Sequence, residues 1–287
     1  MVDVLTLNYN DADTTIDFVH SVENYGTIGH ILIVDNCSTD DSYQRLKEME
    51  NQKIRLIRTD HNGGYGAGNN FGIRYLAQHN WSNYVLQCNP DVLISENTII
   101  TLYSFLKKHN EYVMAAPFML NKKGERVSNT AFPLATKWQY ILSLDIVLNK
   151  FLRLNTYENL SGETDEYKEV GAVAGSLFMM NLKKMIDGGM YDENIFLYCE
   201  EMSLGLKLKK AGYKTALLPK ETFLHNHSVS ISKTFKTDMA RRKILTKSKL
   251  YVIRKFYRAN LCEYSIAWFL SRLSYLEIML LSLRKNR

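Results

Sequence analysis

Short apolar runs that each stop at a polar cluster dominate the first ninety residues. Residues 2–7 run into Asn8-Tyr9-Asn10, and residues 31–34 run into Asp35-Asn36-Cys37-Ser38-Thr39-Asp40. Residues 84–86 lead through Gln87 and Cys88 to Asn89-Pro90-Asp91. Between the first two runs, Ile16, Val19, Val22 and Tyr25 fall on one helical face, and a second helix is expected over about residues 41–51. A third apolar run, residues 54–58, is followed by the glycine-rich stretch HNGGYGAGNNFG, expected as a loop that feeds a helix ending near Gln78. Strands of this length alternating with helices predict a parallel α/β sheet. Open sheets of that kind bind ligands outside the carboxyl ends of their strands. The polar strand ends therefore mark one candidate crevice, although Asn, Pro and Asp in sequence are also ordinary turn formers.

The usual nucleotide fingerprints are missing. A dinucleotide site wants G-x-G-x-x-G directly after the first strand. Here the glycines follow the third strand, at 63, 64, 66, 68 and 72, and position 69 is Asn. No G-x-x-x-x-G-K-[ST] occurs either. In the second half, Gly171 to Ser176 reads as a tight loop entering the buried strand Leu177-Phe178-Met179-Met180. A helix is expected from Glu200, because Leu204, Leu208 and Ala211 recur at helical spacing and Gly212 is a natural stop. Two carboxylates in its first turn suit the positive end of the helix dipole, and only one of Glu200 and Glu201, about 100° apart, can face a given atom. They serve equally as a plain helix start. His225 and His227 follow the apolar residues 216–218 and would share a strand face, as ligands or as ordinary loop histidines.

Composition narrows the class. The chain has 46% hydrophobic and 23% charged residues, four prolines, no low-complexity linker and no internal repeat, which describes a globular protein. Cys37, Cys88, Cys199 and Cys262 are scattered without metal or disulfide spacing, as expected in a reducing cytoplasm. The first strand begins near Met1, so no signal peptide is expected, and no run of eighteen apolar residues predicts a transmembrane helix. Charge is uneven: from residue 237 onward twelve Lys and Arg face three acids, a balance of +9, leaving −3 for residues 1–236 of a chain whose total is +6. The expected division is a body of residues 1–236 and a basic, amphipathic, helical extension of residues 237–287.

Seven stretches in order, LNYN, IVDNCSTDDS, NGGYGAGNNFGI, CNPD, GAVAGSLFMM, GGMYDENIFLYCEE with LKLKKAGY behind it, and LHNHSVSIS, resemble the family 2 glycosyltransferases of GT-A fold. The resemblance spans about residues 2–230 and is strongest to the rhamnosyltransferase-like branch that builds bacterial surface and cell-wall polysaccharides. It implies an inverting enzyme that moves a sugar from a nucleoside diphosphate to a hydroxyl, with Mg²⁺ or Mn²⁺ as cofactor. The implied donor is dTDP-rhamnose or a UDP-sugar, and the implied acceptor a glycan or a saccharide on a polyprenyl diphosphate carrier.

Roles follow by position. Asp35 would accept the imide N–H of the base, with Asn8, Asn10, Asn36 and Ser38 nearby. Residues 62–70, among them Asn62, Gly63, Gly64 and Asn69, would form the loop along the nucleotide. Asn89 and Asp91 stand at the family's Asp-x-Asp element, so Asp91 would hold the metal and Asn89 the ribose or metal; His225 would reach back to it. Glu201, preceded by Glu200, stands where the family has its general base, and Gly175, Ser176 and Tyr198 would line the acceptor side. Glu replaces the family's Asp at 201, Ser203 replaces another Asp, and Lys207 replaces Arg.

The basic extension interleaves Lys and Arg with aromatic and aliphatic residues. A nucleic-acid surface would look similar, but the basic residues sit behind a sugar-nucleotide site and no nucleic-acid partner is expected. Peripheral contact with anionic lipid at the inner face of the cell membrane, or a plain helical cap, are the two readings. The rival to an enzyme is a non-catalytic, glycosyltransferase-like binding subunit. A sugar-phosphate nucleotidyltransferase would need a basic, glycine-rich signature after the first strand, which LNYNDADTT lacks.

Overall fold

A computed structural model describes residues 1–154, 157, 160, 165–226 and 237–285. The elements follow as β1 (Val2–Asn8), α1 (Ala12–Val22), β2 (Ile28–Asp35), α2 (Ser42–Lys47), β3 (Ile54–Arg58), α3 (Tyr65–Gln78), β4 (Tyr84–Cys88), β5 (Val92–Leu93), α4 (Glu96–Lys108) and β6 (Tyr112–Leu120). Then come β7 (Ala131–Phe132), α5 (Lys137–Leu142), α6 (Ile146–Leu152), β8 (Lys168–Val170), β9 (Ala172–Val173), β10 (Leu177–Asn181) and α7 (Leu182–Asp187). The last four are α8 (Glu200–Lys210), β11 (Lys214–His225), α9 (Asp238–Lys255) and α10 (Leu261–Lys285).

The main sheet runs β3-β2-β1-β4-β10-β6-β11-β5, with β8 also paired to β11. The first four strands are parallel, as the alternation predicts. The rest are not: β10 lies antiparallel between β4 and β6, and β11 is parallel to β6 but antiparallel to β5 and β8. The sheet is therefore mixed. Val4, Leu5 and Ile31 to Val34 are fully buried because helices cover both faces.

The glycine-rich stretch is a correction. Only residues 61–64 are loop, and α3 begins at Tyr65. The reason is packing: a Cβ at Gly72 would lie 2.4 Å from Leu5 Cδ1 and 2.9 Å from Val34 Cγ2. This glycine lets the helix approach the sheet. Gly64 is the exception. Its φ of +91° suits glycine, and a Cβ there would lie 2.1 Å from the Phe196 carbonyl oxygen.

The extension packs against the body. Val252 and Ile253 of α9 and Ala267 and Leu270 of α10 share one hydrophobic cluster with Tyr140 and Ile141 of α5, Ile195 and Met202. Polar contacts reinforce it: Ser248 Oγ donates to the Leu197 carbonyl at 2.8 Å. Asp192 pairs with Lys255 at 2.8 Å and accepts from Tyr251. His227 and residues 228–232 of the last resembling stretch lie outside the described residues.

Candidate active site

The strand ends converge as the polar pattern suggests. Asn8 and Asp35 are register partners across β1 and β2, and the Asn8 amide donates to Asp35 Oδ1 at 3.0 Å. The Ser38 hydroxyl donates to the same oxygen at 2.5 Å, while Ser38 N and Arg58 Nε approach Oδ2 at 3.1 and 3.3 Å. Of about four lone-pair sites on a carboxylate, three accept hydrogen bonds here and the Arg58 ion pair crowds the fourth. Asp35 is fully buried, so a base N–H would reach it only by displacing one of them. Its observed work is to shape the loop after β2. Asn10 completes that loop: its backbone N–H donates to Ser38 Oγ at 3.0 Å and its Oδ1 accepts from Thr39 N at 2.8 Å.

Asn36 ties this loop to the next, donating to Asn62 Oδ1 at 3.0 Å and to the Gly64 carbonyl at 3.3 Å. Gly63 lies beside them in the same turn. Asn69 departs from expectation. It is buried one turn into α3, and its amide donates back to the Tyr65 carbonyl at 3.0 Å. Its neighbour Asn70 was not singled out, yet it bonds both N–H and C=O of Tyr191 and also Glu193.

Beyond β4 the chain turns at Asn89-Pro90-Asp91. Asn89 N donates to the Ser176 carbonyl at 2.8 Å, and Asp91 O accepts from Asn226 N at 2.8 Å. Because β5 pairs His225 with Val92, the imidazole Nε2 sits 3.1 Å from Asp91 Oδ1. Its Nδ1 is 3.2 Å from Met119 Sδ. With Nε2 protonated the imidazole donates to Asp91 Oδ1; with the proton on Nδ1, Nε2 and Oδ1 are both lone-pair atoms and could share a cation. Their separation also matches adjacent ligands of an octahedral cation at about 2.1 Å, roughly 3 Å apart. No cluster of three or more His, Cys, Asp and Glu occurs among the described residues. Asp91 and His225 could supply two ligands to a cation that draws the rest from diphosphate and water.

The acceptor-side residues join this loop to the carboxylates. The peptide of Gly175 has its oxygen bound by the Tyr65 hydroxyl at 2.5 Å and its N–H directed to Glu201 Oε1 at 3.3 Å. Gln87 donates to Tyr65 and Tyr191 hydroxyls at 3.0 and 2.7 Å, completing a buried polar column that no sequence pattern announces. Tyr198 and Cys199 hold left-handed φ of 68° and 71° just before α8. This pair turns the chain sharply into the helix that carries Glu200 and Glu201.

The two glutamates differ. Glu200 is buried and its Oε1 has no hydrogen-bond partner among the described residues. Burial first, and then the charge of Glu201, push its carboxyl well above the usual range. Burial also raises Glu201, but less far, its own backbone N–H and that of Gly175 opposing the shift. Glu201 is thus the carboxylate better held ionised. The departures at 203 and 207 have local work: Ser203 Oγ donates to the Glu200 carbonyl at 3.0 Å, and Lys207 Nζ donates to the Gly189 carbonyl. Lys207 is turned to the loop before α8.

A parallel half-sheet ending in such a crevice, with a carboxylate brought to it on a separate helix, is the build of a GT-A glycosyltransferase. GalNAc-T7 solved with UDP, GalNAc and Mn²⁺ superimposes with a TM-score of 0.61 over 97% of this chain and 56% of that one, at 13% identity. That likeness establishes the fold. The family model for Glycosyl transferase family 2 matches residues 3–166, more than half of the chain, and the chain belongs to that family. Its curated relatives include the low-salt glycan biosynthesis hexosyltransferase Agl10 of Haloferax volcanii, 25% identical over 79% of this chain and 67% of its own length. The N-acetylglucosaminyl-diphospho-decaprenol L-rhamnosyltransferase of Mycobacterium tuberculosis is 26% identical over 70% of this chain and 67% of its own length. The chain thus spans about two thirds of these relatives, and the rhamnosyltransferase-like resemblance is borne out.

Proposed function

We propose that the protein is an inverting glycosyltransferase that moves a sugar, rhamnose first among candidates, from a nucleoside diphosphate to a hydroxyl of a lipid-linked saccharide. The observation that carries this is the dipeptide Gly175-Ser176. Its Ser carbonyl holds the Asn89-Pro90-Asp91 loop and its Gly N–H holds Glu201. A donor held by the loop and an acceptor activated by the glutamate would therefore meet across two residues.

In this reading the base lies over the loops of Asn8, Asn10, Asn36, Ser38 and Asn62. Asn89 and Asp91, with His225, face the diphosphate. A divalent cation held by Asp91 and His225 would neutralise charge on the leaving diphosphate. Glu201 takes the proton of the acceptor hydroxyl as that oxygen attacks the anomeric carbon from the side opposite the leaving group, which inverts the centre. A positioned base of this kind contributes about 10²–10⁴-fold. Glu200, its carboxyl pushed up by burial, precedes it in the same helical turn. The lipid-linked acceptor is supported by the decaprenyl-linked substrate in the mycobacterial relative's name.

The test is titration calorimetry with UDP and dTDP, each with and without Mn²⁺ or Mg²⁺, on wild type and Asp91→Ala. Metal-dependent binding of one nucleotide, lost in the variant, is expected. Absence of binding to either under every condition would remove the donor site and favour a non-catalytic binding subunit.

A further inference from the structure

Helix α10 shows two different faces. Ala267, Leu270, Ser271 and Ser274 are buried against the body. On the opposite side, Ile266, Phe269, Leu273, Leu276 and Leu280 recur at spacings of three and four and are all exposed, Phe269 at 62%, Leu276 at 53% and Leu280 at 59%. Trp268 and Met279 widen this stripe, so the apolar arc is broader than the narrow seam of a two-helix coiled coil. Helix α6 continues it. Its N-terminus is capped by Glu277 of α10, whose Oε2 accepts from Ile146 N at 2.9 Å. The α6 residues Val147 and Phe151 are exposed, the latter at 82%. Monomeric proteins rarely leave so much contiguous apolar surface without a partner.

The charges around the arc decide which partner. All three acids beyond residue 237 are turned to partners within the chain. Glu263 pairs with Lys137 at 2.8 Å, Glu277 caps α6, and Asp238 pairs with Arg241 at 2.6 Å. The one charged residue among the exposed positions of 261–281 is Arg272, its guanidinium stacked over Trp268 at 4.7 Å. Lys150 of α6 and Arg254 and Arg258 near the start of α10 are exposed cations. Arg254 is placed there by its contact over the Tyr264 ring at 5.7 Å. A second copy of this chain would bring the same cationic rim against itself, which like charges oppose. An anionic bilayer complements both parts: acyl chains take the apolar arc, and headgroups take the cations. A tryptophan beside an arginine suits the boundary between them.

We infer that the outer face of α10, extended by α6, is a docking surface for an anionic lipid bilayer, in which the helix lies in the plane of the interface. It cannot cross: no described helix is long and apolar enough to span a membrane. The face carries an apolar arc that the basic patterning of residues 237–258 did not indicate, since α9 turns Val252 and Ile253 into the core. The inference rests on the proposed lipid-linked acceptor for its purpose only, and its geometry is independent of the donor site.

The experiment is co-sedimentation of the full chain with vesicles of phosphatidylcholine alone or mixed with phosphatidylglycerol. Wild type is compared with the triple variant Phe269→Ser, Leu276→Ser, Leu280→Ser, whose positions are exposed and outside the core. Wild type is expected to partition onto the mixed vesicles and less so in high salt, and the variant to fall on the order of tenfold or more. Nucleotide binding by calorimetry should be unchanged in the variant. Equal partitioning of the two proteins, or no binding of wild type to mixed vesicles, overturns the inference. So does a dimer in sedimentation equilibrium that the variant abolishes without any vesicle binding. Loss of nucleotide binding by wild type with vesicle binding intact would remove the donor reading and leave this one standing.

Discussion

Two adjacent carboxylates on one helix turn have opposite chemical prospects here. Glu201 Oε1 accepts from the Gly175 N–H, whereas Glu200 Oε1 has no hydrogen-bond partner among the described residues. Glu201→Gln is expected to lower kcat by about 10²–10⁴-fold with KM for donor little changed. Because burial raises the Glu201 carboxyl above its ordinary 4.5, activity of wild type should rise with pH through a limb above that value. A profile flat down to 4.5 would speak against Glu201 as base. Glu200 predicts the reverse kind of effect. Its folded carboxyl is raised, so the folded chain holds its proton more tightly than the unfolded one. Above the unfolded value of 4.5, rising pH therefore costs stability until the folded value is passed. Glu200→Gln should raise the Tm, by more near neutral pH than near 4.5, in scanning calorimetry. A drop in Tm would show that the hydrogen bonds the carboxylate accepts outweigh the cost of burying it.

At the scale of elements, glycine shows how similar residues take unlike tasks. Gly72 lets α3 press on β1 and β2, whereas Gly64 lets the donor loop touch the backbone before α8. Gly64→Ala would demand a left-handed residue and place its Cβ against the Phe196 carbonyl. A loss of at least about 2 kcal/mol is expected in urea unfolding, together with weaker nucleotide binding. The composition of HNGGYGAGNNFG reads as loop, and it folds as helix from Tyr65, because tight helix–sheet packing wants the same residue that loops want. Sequence pattern cannot separate the two uses. Antiparallel β10 escaped for a related reason: an apolar run buried on both faces looks alike in either direction.

Across the whole molecule, α9 and the turn after it hold the segment before α8 as much as they extend the chain. Ser248, Tyr251, Lys255 and Tyr257 reach Leu197, Asp192 and Met202. Asp192 illustrates the coupling. Burial would raise its carboxyl, and the bonds from Lys255 and Asn194 outweigh that and lower it. A chain ending at residue 236 would expose Tyr140, Ile141, Ile195 and Met202 to water. It is expected to aggregate or lose its near-UV circular dichroism, where a separable extension would leave a folded, nucleotide-binding body.

The primary structure was enough to read which residues make the strand ends, because an apolar run closed by Asn8, Asp35 or Asp91 is a local pattern. It was enough, too, for the family and for the first turn of α8 with its paired acids. What a local pattern lacks is the partner brought by another element. The buried column of Gln87, Tyr65 and Tyr191, the ion pair of Asp35 with Arg58, the unlike settings of Glu200 and Glu201, and the outward face of α10 all depend on contacts between residues far apart in the chain. Burial and hydrogen-bond satisfaction are properties of such contacts, so only the folded chain could decide them.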